Sequence, residues 1–349
     1  MERNELVLLR LSNQYLLRAG ERMEVLRAMN GFQAQFLSNA LYAMRLRSTA
    51  YDTAHAADSL VKSWTLRGTM HIFAEADLPL FLHTGCRYRS RDWTVPSFWN
   101  QRPDWALTPQ RQAYFSDLIV DALAQGPMTR EALKARCRAA GMTQAEEGSI
   151  FHPWGGGIRE LCERGFLCGT VSEEKAFRLC PAFTPMEEQD ALLEQTRRYF
   201  TNYGPASIRD AAYYFGSSQA EIKKRLARLP VEAAECEGQR LFSLHSGRMP
   251  EQAIPDCLLL AGFDPLVLGY EKKHSIFLPP EYLRGIFSLS GIVMPPVLLH
   301  GSVAGRWKHS GKRLLITQFR PFSQEERGFA EAAAAQLWDE AVQPVFQDA

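Results

Sequence analysis

Nowhere does the chain run about 18 or more apolar residues in succession, the length a helix needs to cross a bilayer, so no membrane span is expected. Its opening, MERNELVLLR, carries acids early and lacks an apolar core followed by a small-residue cleavage site, which argues against a secretory signal. Among the seven cysteines there is no Cys-x-x-Cys pair. The tightest cluster, Cys162, Cys168 and Cys180, is spaced too widely for a zinc ribbon, so no metal site is expected. An odd set of thiols fits reduced, mostly buried side chains in a cytosolic protein. A strong charge of one sign is missing too: 40 Lys and Arg stand against 39 Asp and Glu, a net charge of +1. A simple electrostatic nucleic-acid binder carries a basic excess, so any positive surface here must be concentrated on one face.

What is present is an ordinary globular balance, with 46% hydrophobic and 23% charged residues in a chain of 349, enough for two or three domains or for more small ones. Three segments share an order of helices followed by a short β-rich stretch. The middle one is clearest. Residues 110–125 have apolar side chains at helical spacing, and Gly126-Pro127 breaks the helix. Thr129 reads as the N-cap of REALKARCRAA, with Gly141 as its stop. Residues 154–165 form a third helix, and FLCGTVSEEKAFRLC reads as a hairpin turning at Ser172–Lys175. Helix, helix, helix, hairpin is the winged-helix order. In the third segment, a helix at 187–202 is followed by IRDAAYYFG, stopped by Gly216, and by QAEIKKRLARL, capped by Ser217 or Ser218. Two strands then meet around Glu237-Gly238. The first segment is looser, with helices at 5–12, 21–29 and 33–47 and strands within 61–74.

From about residue 250 short apolar runs are broken by Gly and Pro, a hairpin is expected around 297–305, and a helix at 323–342 opens on Ser323 with Glu326 three positions on, a capping box. The expected class is α+β: three tandem winged-helix domains at 1–105, 106–184 and 185–249, then a C-terminal β-rich, barrel-like domain at 250–349.

Gly31-Phe32-Gln33-Ala34-Gln35 stands out because it places two glutamines at the start of the 33–47 helix. Side chains at i and i+2 of a helix diverge by about 200°, so both reach one site only if Gln33 lies on the turn and Gln35 in the first helical turn. A polar cap satisfying free amides is the plainer reading, whereas two amides holding a water against a sugar or base is the functional one. Arg67 or His71 could meet a phosphate, or Arg67 could face solvent while His71 packs under a loop. Arg87, Arg89, Arg91 and Arg102 alternate with Tyr88, Trp93, Phe98 and Trp99, which suits a strand-binding surface or a packed linker. Lys223, Lys224, Arg225 and Arg228 lie on the helix that meets DNA in a winged unit, or on a solvated face. Arg306, Lys308, His309, Lys312 and Arg313 flank the Ser310-Gly311 turn, as a groove-entering hairpin or a guarded edge. Asp264 reads as a turn cap before Pro265.

Five blocks carry a family resemblance: GFQAQ at 31–35, SWTLRGTMHIF at 63–73, YGPASIRDAAYYFG at 203–216, AGFDPLVLGY at 261–270 and VLLHGSVAGRWKH at 297–309. Together they resemble the AlkZ/YcaQ-type bacterial winged-helix DNA glycosylases, in the family's order and over nearly the whole chain. The resemblance implies tandem winged-helix domains with a C-terminal barrel, and excision of alkylated purines or unhooking of crosslinks joined through N7 of guanine. Its Gln-apolar-Gln motif matches Gln33 and Gln35, which makes these the expected catalytic pair, with alanine an unusually small middle residue. Some relatives carry Asp second and prefer monoadducts, so Gln35 favours crosslink unhooking.

An N7-alkylated purine is already a cationic leaving group that needs no general acid, and two amides suffice to place water and stabilise the oxocarbenium-like sugar. No Schiff-base lysine is called for, hence a monofunctional hydrolase. Expected DNA contacts are Arg67, Thr69, His71, Lys223, Lys224, Arg306, Lys308, His309 and Lys312. The expected partner is double-stranded DNA with alkylated or crosslinked purines, bound by a monomer in the cytoplasm, at the nucleoid during repair, without cofactor or membrane. A tethered base is expected to stay in the groove rather than flip fully. The competing reading is a non-catalytic winged-helix regulator, and a third is a scaffold with a dead site.

Overall fold

The computed structural model describes residues 1–82, 93, 97–172, 174–244, 249–338 and 342–349. Two compact units divide the chain: one joins Met1–Thr53 to Gln195–Ala349, and the other is the continuous stretch Ala54–Glu194.

The first unit opens with α1 (Arg3–Asn13), α2 (Arg22–Ala28), the short strand β1 (Phe32–Gln33) and α3 (Leu37–Arg45). Helix α1 buries Leu6, Val7, Leu9 and Leu11, and α2 buries Val25 and Leu26. Helix α3 buries Leu37, Ala40, Ala43 and Met44 at three- and four-residue spacing.

The second unit holds β2 (Leu60–Trp64), β3 (Met70–Ala74), α4 (Leu78–Phe81), α5 (Pro109–Leu123), β4 (Met128–Thr129), α6 (Arg130–Ala139), α7 (Gln144–Ile150), α8 (Gly156–Glu163), β5 (Leu167–Gly169) and β6 (Ala176–Leu179). Its strands neighbour one another in the order β3-β2-β5-β6-β4. Thr129 caps α6 as its sequence position predicts, its hydroxyl accepting from the Ala132 amide. Helix α7 was not expected, although Thr143 and Glu146 form a capping box at its start. Phe115, Ile119, Leu133, Ile150, Ile158, Leu161 and Leu167 fill the core between α5–α8 and the hairpin β5–β6. Glu160, buried there, accepts from Arg164 at 2.6 Å and from the Ser97 hydroxyl at 3.0 Å, so its charge is paired.

The first unit resumes within α9 (Glu188–Asn202), followed by α10 (Ile208–Phe215), α11 (Gln219–Leu226), β7 (Glu232–Cys236) and β8 (Gln239–Ser243). Ser207 and Asp210 form the capping box of α10, and Gly216 ends it at φ 62°, a left-handed turn that glycine adopts without penalty. Then come β9 (Cys257–Leu259), α12 (Pro265–Leu268), α13 (Leu283–Ile286), β10 (Pro296–Leu299), β11 (Ser302–Ser310), β12 (Arg313–Gln318), α14 (Gln324–Leu337) and β13 (Gln343–Asp348). These five strands form a sheet in the order β13-β12-β11-β10-β9, antiparallel except that β13 runs parallel to β12.

The expectation of a barrel-like domain is corrected in part: among the described residues this sheet is open. Ala330 and Ala334 of α14 cover Leu259, Val297, Leu299, Leu314 and Ile316 on one face, so the apolar face is buried by a helix rather than by closure. Helix α14 also ends earlier than the sequence suggests, at Leu337, and the chain returns as a strand.

Candidate active site

The GFQAQ segment is not the start of a helix. The chain leaves α2 through two consecutive left-handed residues, Asn30 (φ 57°) and Gly31 (φ 77°), and becomes extended at Phe32–Gln33. Asparagine and glycine are the residues that tolerate this conformation. Burial then alternates: Phe32 buried, Gln33 half-buried, Ala34 buried (1% exposed), Gln35 exposed. Within the strand successive side chains point to opposite sides, so Gln33 opposes the buried Phe32; the exposed Gln35 lies beyond buried Ala34, in the bend that leads into α3. The two glutamines thus precede α3 and do not lie on it. Alanine also suits the inward position, which is almost fully enclosed.

The turn that aims this segment is tied down by α9 and α10. Arg198 donates to the Arg27 carbonyl at 3.1 Å, Asn202 to Ala28 at 3.0 Å, and the Tyr203 hydroxyl to Met29 at 3.0 Å. The last carbonyls of α2, which lack partners within the helix, thus find them in side chains of the later chain. Asn30 donates in turn to the Gln195 carbonyl at 3.0 Å.

Beneath the segment lies an ion pair with no solvent exposure. Arg47 donates to the two carboxylate oxygens of Asp264 at 2.6 and 3.1 Å and to the Ala43 carbonyl at 3.0 Å. Its guanidinium carbon is 5.9 Å from the centre of the Phe32 ring. Asp264 is also the N-cap of α12, accepting from the Leu266 amide at 2.9 Å, as its place before Pro265 predicts. At Gly262 a β-carbon would stand 2.6 Å from the Asn39 amide nitrogen, so only glycine lets this loop approach α3. The GFQAQ, YGPASIRDAAYYFG and AGFDPLVLGY blocks, scattered in sequence, thus meet at one place in the first unit.

The other candidate residues of the first unit lie on α11 and on the β11–β12 hairpin. Lys223 and Lys224 are exposed on α11, with Lys224 2.9 Å from Glu221. On β11 the alternation separates the basic hairpin into two faces. Trp307 packs on the sheet core and the His309 ring stacks on Trp338 at 4.8 Å, while Lys308 is exposed from the other face. Arg306, two residues before it, lies on that same face and donates to the Gly285 carbonyl at 3.3 Å, and Lys312 is exposed in the turn. His309 is thus not part of one continuous basic face with Lys308 and Lys312.

Arg67, Thr69 and His71 belong to the second unit, in and after the turn between β2 and β3. Arg67 and Gly68 are both left-handed there (φ 55° and 63°), and Thr69 closes the turn by donating to the Leu66 carbonyl at 3.1 Å. His71 is buried, with Nδ1 3.0 Å from the Thr69 carbonyl oxygen. Burial above all, with the charge of Arg67 adding to it, pushes its pKa down to about 3. The ring is neutral and enclosed, so the expected phosphate contact is corrected to a packed histidine.

A stability signature follows from that ring. The unfolded chain takes up this proton near 6.5 and the native state only near 3, so native stability is intact above about pH 6.5 and is lost as pH falls from there toward 3. His71→Phe is expected to shrink the drop in melting temperature between pH 7 and about pH 4.5, and an unchanged drop would assign it to other groups. Of the basic-aromatic stretch, Arg87, Tyr88, Arg89 and Arg91 lie outside the described residues. Trp93 and Trp99 are core residues, Phe98 is exposed, and Arg102 pairs with Asp104 at 2.8 Å.

Two glutamines, one half-buried and one exposed, offer carbonyl oxygens and amide donors but nothing that titrates near neutrality. Such a pair can hold a water and turn dipoles toward developing positive charge; it cannot supply a strong acid or base. The chain's likeness to known proteins decides the setting of that chemistry. The AlkZ-like DNA glycosylase profile matches residues 26–339.

The chain belongs to the AlkZ-like DNA glycosylase family.

It is accordingly a glycosylase enzyme of DNA repair. It is 28% identical over 329 residues to the interstrand DNA cross-link repair glycosylase of Streptomyces sahachiroi, covering 87% of this chain and 85% of the relative. The solved structure of the DNA glycosylase AlkZ from the same organism superposes over the full length of both chains with a TM-score of 0.79 at 23% identity, which shows a shared fold. No helix among the described residues is long and apolar enough to cross a membrane.

The Arg47–Asp264 pair and the clasp of Arg198, Asn202 and Tyr203 escaped the sequence reading. Asp264 was legible as a cap and Arg47 as a helical position, but nothing local links partners 217 residues apart.

Proposed function

We propose that this DNA glycosylase hydrolyses the N-glycosidic bond of N7-alkylated purines, including guanines joined in interstrand crosslinks, with Gln33 and Gln35 as its catalytic residues. The observation that carries this is the accessibility of both amides, Gln33 half-buried and Gln35 exposed, on either side of buried Ala34. The crosslink part draws support from the name of the Streptomyces sahachiroi relative and from a glutamine, not an aspartate, at position 35. In the proposed reaction the amides hold a water against the sugar and orient their carbonyl dipoles toward the oxocarbenium-like transition state, and the cationic base departs without a general acid. No step forms a covalent enzyme–sugar bond, so the reaction is monofunctional.

The proposal includes winged-helix units at 1–105, 106–184 and 185–249 and a β-rich domain at 250–349, on a monomer acting at the nucleoid. The helix and hairpin order of α5–α8 with β5–β6, and of α9–α11 with β7–β8, supports the second and third units. Lys223, Lys224, Lys308 and Lys312, all exposed, and Arg306, Arg67 and Thr69 are the proposed contacts to DNA.

The decisive experiment is single-turnover incubation with duplexes carrying N7-methylguanine or a nitrogen-mustard crosslink, scored as strand breaks after alkali. Excision that is lost in a Gln33→Ala, Gln35→Ala variant establishes reaction and site. Monoadduct excision alone removes the crosslink claim, and no excision with tight binding to plain duplex returns the protein to the binder reading. Contacts to phosphate are tested separately by salt. Each neutralised phosphate adds about 0.9 to the slope of log K against log salt, so Lys308→Ala with Lys312→Ala should lower that slope by about 2. An unchanged slope would take this hairpin off the DNA.

A further inference from the structure

Immediately after the two glutamines, the chain places a large aromatic side chain in solvent. Phe36 is 47% exposed, although it follows a segment whose apolar members, Phe32 and Ala34, are each 1% exposed. It is the N-cap of α3, with extended backbone (φ −120°, ψ 117°) and no side-chain hydrogen bond to the helix. N-cap positions favour Ser, Thr, Asp or Asn, whose oxygen satisfies a free amide, so phenylalanine here forgoes a stabilising contact. No acid occupies the first turn of α3 either, leaving the positive end of the helix uncompensated.

The ring is also held. Its centre lies 5.9 Å from that of Phe263, tilted at 43°. Phe263 is buried and has left-handed backbone at φ 58°, a strained state for a bulky residue that only firm surroundings maintain. Phe263 belongs to the loop in which Gly262 touches Asn39 and Asp264 grips Arg47. A strained, buried aromatic thus backs an exposed one, and that exposed one adjoins Gln35.

We infer that Phe36 is a substrate-contacting residue: an aromatic wedge whose face stacks on the cationic N7-alkylpurine and selects it over neutral purines. This rests on Gln33 and Gln35 being the catalytic pair. Apolar side chains entering between base steps unstack them partly, which suits a tethered base that stays within the groove. An aromatic face attracts a cation through its quadrupole, most strongly for Trp, less for Tyr and Phe, and not at all for Leu. The positive charge that makes the damaged base a good leaving group is therefore also what the ring recognises. The free amides of α3 meanwhile favour a neighbouring phosphate.

The test measures binding, so it does not depend on turnover. Two duplexes are compared: one with 2′-fluoro-N7-methyl-deoxyguanosine, whose fluorine suppresses departure of the cationic base, and one with 2′-fluoro-deoxyguanosine, which is neutral. The ratio of their affinities is the readout. Phe36→Leu, which keeps apolar packing on Phe263, is expected to cut that ratio about 3- to 30-fold. Phe36→Trp should keep or raise it, and Phe36→Tyr should match the wild type. A Leu variant with the wild-type ratio overturns the inference, and so does a Trp variant below the wild type. Should Leu lower the melting temperature, the Trp comparison decides. The inference and the catalytic reading fail separately: loss of excision in the double glutamine variant beside an unchanged ratio in Phe36→Leu sinks the wedge alone, whereas persisting excision in the double variant sinks the catalytic pair whatever Phe36 does.

Discussion

Gln35→Ala is expected to slow excision of N7-methylguanine by about 100-fold under single-turnover conditions, at saturating enzyme, while leaving affinity for the damaged duplex within a few fold. The magnitude is that of removing one preorganised dipole or donor from a developing charge, about 10²–10³ in rate. Affinity is spared because the amide acts mainly on the transition state, so the loss falls on the chemical step. Gln33→Ala should give a loss of similar order. In the proposed reaction the two share one water and one sugar, so the double variant should lose less than the product of the singles. Because neither amide titrates, the motif itself contributes no ionisation to the rate between about pH 5 and pH 8. A Gln35→Ala rate within threefold of wild type would remove this residue from the reaction.

The second large effect is on stability. Asp264→Ala is expected to lower unfolding free energy by about 3–5 kcal/mol, because it strands the Arg47 charge in a site with no solvent. Arg47→Met should cost a comparable amount by stranding the carboxylate. Combining Arg47→Met with Asp264→Asn should recover most of the loss: neither charge remains, and the asparagine still caps α12. Denaturant unfolding of the wild type, Arg47→Met, Asp264→Asn and the double variant gives the coupling energy directly. Losses that simply add would mean that the pair is not coupled. Phe32 lies beside the guanidinium, so the single variants should also disturb the extended glutamine segment, and excision should fall with stability in them and return in the double variant.

Where a cue is local, the sequence was a reliable guide. Thr129 caps α6, Gly216 ends α10, and Ser323 with Glu326 starts α14. The capping box at Thr143 was equally local but went unread, so α7 was missed. The glutamine pair stands out in the sequence, but its backbone does not follow the helix expected there. Continuous apolar spacing suggested a helix from residue 33, whereas Asn30 and Gly31 turn the chain and Phe36, with no capping oxygen, delays the helix to Leu37. The strand Gln343–Asp348 alternates weakly and follows an alanine-rich helix, so only its pairing with β12 reveals it. For His71 the sequence leaves a phosphate contact and a packed ring both open, because burial of one imidazole depends on what covers it. The residues that hold the candidate site, Arg47 with Asp264 and Tyr203 with Met29, are joined only by tertiary contact.

The split of the first unit between the two ends of the chain has a consequence for biosynthesis. Arg47 leaves the ribosome 217 residues ahead of Asp264, an interval of roughly 10–40 s at about 5–20 residues per second. During it the nascent N-terminal helices wait for later partners, Gln195 for Asn30, Pro205 for Arg10 and Asp264 for Arg47, whereas residues 54–194 are contiguous and can fold once residue 194 has emerged. The glutamine segment is therefore among the first parts translated and the last to be assembled, and its hydrophobic backing is the stretch of nascent chain most dependent on chaperone cover.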